Sequence, residues 1–567
     1  MTEFLLVFAL AIALGWPLGR YLAAVMRGAP MRGDALFGRI ERPLYRLLGI
    51  DPAQGMDWKA YAKAFLLSNL VLGVMVWGIF MTQAWLPLNP NDAPNMRWDL
   101  ALHTMVSFLT NTNQQHYSGQ AQLSYLAQMT GIVGLQVVTP MMGLALVVAT
   151  LRGLFGGREK SAVESHDNGD ADVGNYWADV LRPAVRVMLP LCLLWSLLLT
   201  WQGVPSTLQG GPVATPIDAS AQMAEQKIPL GPVAPMVAVK QLGTNGGGWY
   251  GPNSAVPLEN PTPFSNLLET LALILLPVSI AFMVGSFTGR RKFTALVFGT
   301  MLTMSLVSAA AALWSESLSG TSTDIAMMEG KEVRFGAAPS AVWAALTTQT
   351  SNGSVNAMHD SLAPLSGLVT IGNMLVNSIW GGIGCGLQQF LVYLLLSVFL
   401  AGLMTGRTPE LFGRKIEAHE VKLLAVLVLL QPLVLLGLTA LTLAVPAITG
   451  NSNPSFHGIS QVFYEYTSAF ANNGSGFEGL GDATTWWNLS TTLVLLLGRY
   501  PALIIPLAIA ASLARKRVAP DGVGTLQVET PTFALTLIAV VVILTLLQFM
   551  PVLVLGPVAD HLALIAS

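Results

Sequence analysis

Charge is scarce in this chain. Only 11% of its 567 residues are Asp, Glu, Lys or Arg, against about a quarter in a soluble domain, which excludes an ordinary water-soluble enzyme. Cysteine is nearly missing. Cys192 and Cys385 lie far apart in apolar segments, which excludes a disulfide framework or a cysteine-rich metal site and leaves both as packing residues. Neither sign of charge prevails: a net charge of −2 provides no basic field, so nucleic acid has nothing to bind through. There is no Gly-x-x-x-x-Gly-Lys-Ser/Thr nucleotide loop and no Asp-Lys-Thr-Gly phosphorylation sequence. The longest segments expected on the inner side, 20–63 and 152–186, are too short for a nucleotide-binding domain of ~100 residues. The chain is therefore expected to bind no nucleotide and not to be an ATP-hydrolysing enzyme by itself.

What is abundant is apolar sequence, 53% of the residues with a mean hydropathy of +0.57. Ten runs approach the ~20 residues needed to cross a bilayer: Phe4–Gly19, Ala64–Leu86, Gly131–Leu151, Val187–Val204, Leu267–Phe287, Phe293–Trp314, Gly367–Met404, Leu423–Ile448, Trp487–Ala514 and Phe533–Leu555. The first carries Glu3 before it and no cation until Arg20, which suits a retained span with the N-terminus outside better than a secretory signal. Alternating the connections places 23 of the 29 Lys and Arg on the inner side and five outside, with Arg499 within a span. That asymmetry satisfies the positive-inside rule, and an even count returns the C-terminus to the outside. The expected fold class is an all-α polytopic membrane protein of ten spans.

Four outer connections share one texture. They read Thr110-Asn111-Thr112-Asn113-Gln114, Gly243-Thr244-Asn245-Gly246-Gly247, Thr350-Ser351-Asn352-Gly353-Ser354 and Ala471-Asn472-Asn473-Gly474-Ser475. Each follows a helical stretch too short to span: Trp98–Leu109, Pro235–Leu242, Ser340–Gln349 and Ser460–Phe470, the second and third opened by Pro235 and Pro339 near a first helical position. Each precedes re-entry into a span through a similar phrase, such as Pro263-Phe264-Ser265 or Pro364-Leu365-Ser366. Repetition of this kind fixes an architecture. The expected division is an extra span at 1–25, repeats at 60–155, 176–288, 290–405 and 420–515, and a second extra span at 530–567.

Irregular backbone at membrane depth survives only where it is buried in protein or lines water, so four re-entrant loops imply a central pore. Gly, Ser, Thr and Asn let successive carbonyls turn to one axis and replace the hydration shell of a cation. The short helix before each loop aims its negative dipole end at the same axis. No loop contains a carboxylate, which disfavours a small divalent ion. A large monovalent cation, K+ first, fits better than Na+, although residue types alone leave that choice open. The candidate ligands, mainly through backbone carbonyls, are Asn111, Thr112, Asn113, Thr244, Asn245, Gly246, Ser351, Asn352, Gly353, Asn472, Asn473 and Gly474.

These loops, the ten-span plan, and the phrases Gly243-Thr244-Asn245-Gly246-Gly247-Gly248-Trp249-Tyr250 and Asn472-Asn473-Gly474-Ser475-Gly476 resemble the potassium-binding subunits of bacterial potassium-transporting ATPases, the KdpA family. The likeness extends over essentially the whole chain. It implies four membrane-pore-membrane repeats around a central K+ filter, a bacterial inner-membrane location, and concentrative K+ uptake powered by a separate P-type ATPase catalytic subunit (KdpB-like), with small accessory subunits (KdpC-like and KdpF-like). The first loop departs from the others, with Asn113 where three have Gly, so equal contributions from all four are not implied. The alternative is a self-sufficient channel-like K+ or K+/Na+ transporter of the same superfamily.

Two further features bear on permeation. Gly367–Met404 would measure ~57 Å as one straight helix, far beyond the ~30 Å hydrocarbon layer. Its cluster Gly381, Gly382, Gly384 and Gly386 is therefore expected to break it into a gate or constriction, the alternative being close helix contact. Arg499, too deep to snorkel, is expected to act as a barrier to cations or else to pair with an acidic residue of another span or subunit. Glu269 is expected near an exposed mouth without a role, and His103, His116 and His359 are expected to be solvated, which disfavours a membrane enzyme built on them. The segment Thr405–Lys422, with Arg407, Arg414 and Lys415, is a candidate docking surface for the ATPase subunit or a contact with membrane lipid.

Overall fold

The computed structural model describes residues 2–156, 171–218, 223–318, 328–520, 522 and 525–566. Among them ten helices are long and apolar enough to cross a membrane, from Glu3–Arg27 to Pro531–Ile565. Arg158 and Lys160, counted on the inner side above, lie outside the described residues. Two antiparallel two-residue ladders, Val213–Ala214 with Gln226–Lys227 and Glu410–Leu411 with Arg414–Lys415, are the only named strands among the described residues.

Helix ends follow local chemistry. Asp57 accepts a hydrogen bond from the Ala60 N–H at 2.7 Å ahead of Trp58–Thr82, satisfying an orphan donor. Thr262 and Ser265 close a capping box before Pro263–Thr288, which stops at Gly289 with φ 77°. Between apolar helices in lipid, small residues decide how closely backbones approach. Gly15 and Gly19 let the first span lie on Pro263–Thr288; a Cβ at Gly19 would stand 2.4 Å from the Ser279 carbonyl oxygen. The centre of the bundle is formed by Ala127–Phe155 and Pro263–Thr288, with 78% and 83% of their apolar windows buried, whereas Ala418–Ala444 and the last span bury 22% and 28% and form the periphery.

Four short helices lie within the bundle: Trp98–Leu109, Val233–Leu242, Ala337–Gln349 and Phe456–Phe470. Three begin earlier than their sequence suggests, so Pro235 and Pro339 fall in the first turn rather than at its opening. Proline is still tolerated there because first-turn N–H groups have no partner within the helix. The long seventh apolar run breaks at its glycines, giving Pro364–Val376, an irregular 377–384, and Cys385–Met404. Left-handed Asn377 (φ 46°), Gly381 (61°) and Gly384 (82°) produce that break.

Candidate functional site

Each short helix ends in the same way. The first loop residue bonds back one full turn: Thr110 N–H to Val106, Gly243 to Val239, Thr350 to Leu346 and Ala471 to Thr467, at 2.8–3.1 Å. The third reaches five residues back, from Thr112, Asn245, Asn352 and Asn473 to Ser107, Lys240, Thr347 and Ser468, at 2.9–3.0 Å. Between them Asn111, Thr244, Ser351 and Asn472 are all left-handed, with φ of 60°, 48°, 50° and 52°. This is a Schellman-like end built on residues other than glycine. Thr244 is β-branched and strained there; its Oγ1 accepts from the Ile383 N–H at 3.1 Å. The fourth residues turn left-handed again: Asn113 at 57°, Gly246 at 74°, Gly353 at 86° and Gly474 at 102°.

The loops meet in cyclic order. Asn113 Nδ2 donates to the Gly246 carbonyl at 2.9 Å, and Asn111 Nδ2 to that of Thr244 at 3.1 Å, joining loops one and two. Asn352 Nδ2 donates to the Lys240 carbonyl at 3.0 Å and Asn473 Nδ2 to that of Thr347 at 2.9 Å, the same register in successive units. Asn472 Nδ2 returns to Thr112 Oγ1 at 3.0 Å and closes the ring. A Cβ on Gly246 would lie 1.9 Å from the Asn352 carbonyl oxygen, one on Gly353 2.0 Å from that of Asn473, and one on Gly474 2.0 Å from that of Thr112. Three glycines thus each press against the third-residue carbonyl of the next loop. At the fourth junction Asn113 replaces glycine, and its amide is a tie to loop two, so the ring is only pseudo-fourfold.

The two ends of the ring differ. On the side of the fourth and fifth loop residues lies a vestibule of about 500 Å3, lined by Asn113, Gly247, Gly353, Gly474, His116, Glu465 and Asp482 among others. At the opposite end the break at 377–384 presses on the loop starts: Gly381 N–H donates to the Gln349 carbonyl at 2.7 Å. Gly381, Gly384 and Gly386 have room only for hydrogen, with Cβ positions 2.2, 2.1 and 1.8 Å from the backbone of Gly386, Gly143 and Trp380. Gly382 is different. Its Cβ would be 3.5 Å from Ser351 Cβ and 3.7 Å from Thr244 Oγ1, so its missing side chain leaves space under the ring.

Arg499 is 3% exposed and touches the Cys385 thiol, while its Nη2 donates to the Thr139 carbonyl at 3.4 Å. No carboxylate pairs with it among the described residues, so an acidic partner from another span of this chain is not found there. Cys385 is accordingly more than a packing residue, because it opens Cys385–Met404 against the guanidinium.

Several buried charges escaped sequence reasoning. Lys240, counted there as an outer-loop cation, is fully buried in its short helix, paired to Glu259 and donating to Ser254 Oγ at 2.7 Å. Glu269 is also fully buried, not exposed at a mouth; it accepts from Ser254 Oγ at 2.6 Å and Gln241 Nε2 at 2.8 Å. Gln241 in turn accepts from Ser354 Oγ at 2.8 Å, coupling this network to loop three. The only signal available was the proximity of Lys240 to the motif. Removing one member of a buried ion pair costs ~3–5 kcal/mol, so Lys240→Met should lower the unfolding midpoint or yield of the assembled protein. Adding Glu259→Leu should restore part of the loss; an unchanged midpoint in Lys240→Met would contradict the pairing.

The three histidines are buried rather than solvated. Burial pulls His116 down, but Asp482 and Glu465 outweigh it and raise its pKa to about 9. Burial alone holds His359 near 3, and its Nδ1 lies 2.8 Å from Tyr464 Oη.

The chain matches the family model described as "Potassium-transporting ATPase A subunit", KdpA, over residues 5–562. It is 46% identical over 565 residues to the potassium-transporting ATPase potassium-binding subunit of Gloeobacter violaceus, covering 97% of this chain and 96% of that one. It is 44% identical to proteins of the same name from Pseudomonas putida, covering 99% and 98%, and Alicyclobacillus acidocaldarius, covering 100% and 99%. The solved structure of the potassium transporter TrkH from Vibrio parahaemolyticus aligns with 87% of this chain and 97% of its own, with a TM-score of 0.48 and 15% identity. With a family model spanning nearly its whole length and relatives covered end to end, the chain belongs to the KdpA family of potassium-transporting ATPase A subunits.

Proposed function

We propose that this chain is the K+-capturing subunit of an ATP-driven uptake complex in the bacterial inner membrane, with both termini outside. The observation that carries this reading is the cyclic contact of four like-folded loops, three of which set their third-residue carbonyl against the glycine of a neighbouring loop, while the fourth junction is tied through Asn113. The carbonyls of Thr112, Asn245, Asn352 and Asn473, flanked by the second and fourth loop residues, replace the water around one dehydrated K+. K+ enters from the vestibule, and the four repeats 60–155, 176–288, 290–405 and 420–515 hold the loops. The extra spans 1–25 and 530–567 lie outside the repeats.

Beyond the ring, the 377–384 segment and Arg499 restrain onward passage. The ion is handed to a P-type ATPase catalytic subunit (KdpB-like), which binds the nucleotide this chain does not, and small KdpC-like and KdpF-like subunits complete the assembly. Exposed Arg407 and Lys415 of Thr405–Lys422 face that partner, whereas Arg414, also expected there, is buried and donates to the Gly153 and Gly156 carbonyls at 3.1 and 2.9 Å. Reconstitution in liposomes provides the test: ATP-dependent K+ accumulation should require both this chain and the ATPase subunit. Steady K+ flux through this chain alone would instead favour a self-sufficient channel.

A further inference from the structure

A cluster in the vestibule wall has ligand chemistry that the ring does not use. His116 Nε2 lies 3.2 Å from Glu465 Oε1 and 3.9 Å from Asp482 Oδ2, and one ligand atom from each of the three falls within 4.8 Å of the others. Bonds of ~2.0 Å from a tetrahedral metal to N and O ligands place the ligand atoms about 3.3 Å apart, close to the shorter of these separations.

The imidazole is also oriented for coordination. Asn488 Nδ2 donates to Asp99 Oδ2 at 3.1 Å, which turns Asn488 Oδ1 toward His116 Nδ1 at 2.8 Å. Asp99 is in turn held by Arg97 at 2.7 Å. Nδ1 therefore carries the hydrogen, and Nε2 faces the two carboxylates. Such a relay is the usual outer support of a metal-binding histidine. Two carboxylates converging on Nε2 suit a cation at this position, with Gln114 Nε2 donating to Glu465 Oε1 beside it.

His103 stacks on His116 with ring centroids 3.8 Å apart, both rings being buried. The mixed imidazole and carboxylate set suits the zinc class of dications better than Mg2+ or Ca2+, which prefer oxygen alone.

We propose that His116, Glu465 and Asp482 bind a transition-metal dication of the zinc class, and that its occupancy closes the vestibule to monovalent cations. The second half of this proposal rests on the reading of the ring as a K+ site; the first does not.

Equilibrium dialysis of the intact purified complex against Zn2+ tests the metal site. One Zn2+ per chain should bind, and His116→Ala should weaken it by at least the ~100-fold that even an outer-shell partner can cost. Asp482 has a 30% exposed side chain, so Asp482→Asn provides a milder variant should His116→Ala fail to fold, and it should also weaken binding. Equal Zn2+ binding by the wild type and Asp482→Asn, or none by the wild type, overturns the site. The closure is read separately as K+ uptake with and without Zn2+ for each form. Inhibition of the wild type that Asp482→Asn relieves supports it, whereas a Zn2+-loaded wild type with unaltered uptake overturns it. Zn2+ binding by a complex that binds no K+ would support the metal site while removing the proposed function.

Discussion

Alanine at Gly246, Gly353 or Gly474 should weaken K+ binding at least ~100-fold, equivalent to about 2.7 kcal/mol. Each added Cβ would fall 1.9–2.0 Å from a carbonyl oxygen of the neighbouring loop. Because backbone rather than a flexible side chain is in the way, that carbonyl must retract by roughly an ångström if normal contact distances are to be restored. The left-handed φ of 74–102° adds strain for any residue with a Cβ. On the proposed reading the cost falls on the dipoles that replace water, and Na+, smaller as a bare ion but more strongly hydrated, tolerates the wider ring better than K+ does. Gly437, on the lipid-facing Ala418–Ala444 helix, has nothing within 4 Å of its Cβ position, so Gly437→Ala should bind K+ normally. Competition of K+, Na+ and Rb+ for the purified complex reads both expectations. Retained affinity and preference in all three ring variants would remove the basis of the site.

Replacing Arg499 with glutamine should let K+ leak past the ring. The guanidinium lies against the break at 377–384, where a Cβ on Gly143 would be 3.2 Å from Arg499 Nη2 and 2.4 Å from the Ile383 carbonyl oxygen. Its charge has no carboxylate partner among the described residues, and it abuts the N-terminus of Cys385–Met404, the positive end of that helix dipole. Two positive contributions therefore oppose a cation that has left the ring. For scale, any unit charge ~10 Å from a monovalent cation at an effective dielectric of ~20 raises it by ~1.7 kcal/mol, more than tenfold in rate. Arg499→Gln should raise passive K+ flux through reconstituted complex by about that factor and lower ATP-coupled accumulation, with the protein present at normal abundance. Arg499→Lys, which keeps the charge, should leak far less. Loss of protein without a change in leak would mean that the residue supports folding only.

The span count and the four loops were legible because they rest on properties that local sequence carries: long apolar runs, and short segments of residues that accept left-handed backbone. The broken seventh run was legible for the same reason, since 38 residues from Gly367 to Met404 exceed the bilayer and contain a glycine cluster. The left-handed second residue was not legible, because Thr244 and Ser351 adopt it against their preference; the surrounding hydrogen bonds impose it. Buried charges were missed for a different reason. Lys240, Glu269 and His116 look like outer-loop or mouth residues by position, and only the folding of each loop behind a short helix shows that their partners come from elsewhere in the chain. Gly382 also could not be separated by sequence from Gly381, Gly384 and Gly386, since the difference lies in which backbone stands opposite each one.

The central claim, that one dehydrated ion is held by carbonyls of all four loops, is tested most directly by locating the ion. Anomalous scattering from crystals of the intact complex soaked in Tl+ or Rb+ in place of K+ should show a peak on the ring axis, within coordination distance of the Thr112, Asn245, Asn352 and Asn473 carbonyl oxygens. Excess K+ should abolish it. A peak confined to the vestibule or to one loop, with nothing on the axis, would contradict the account.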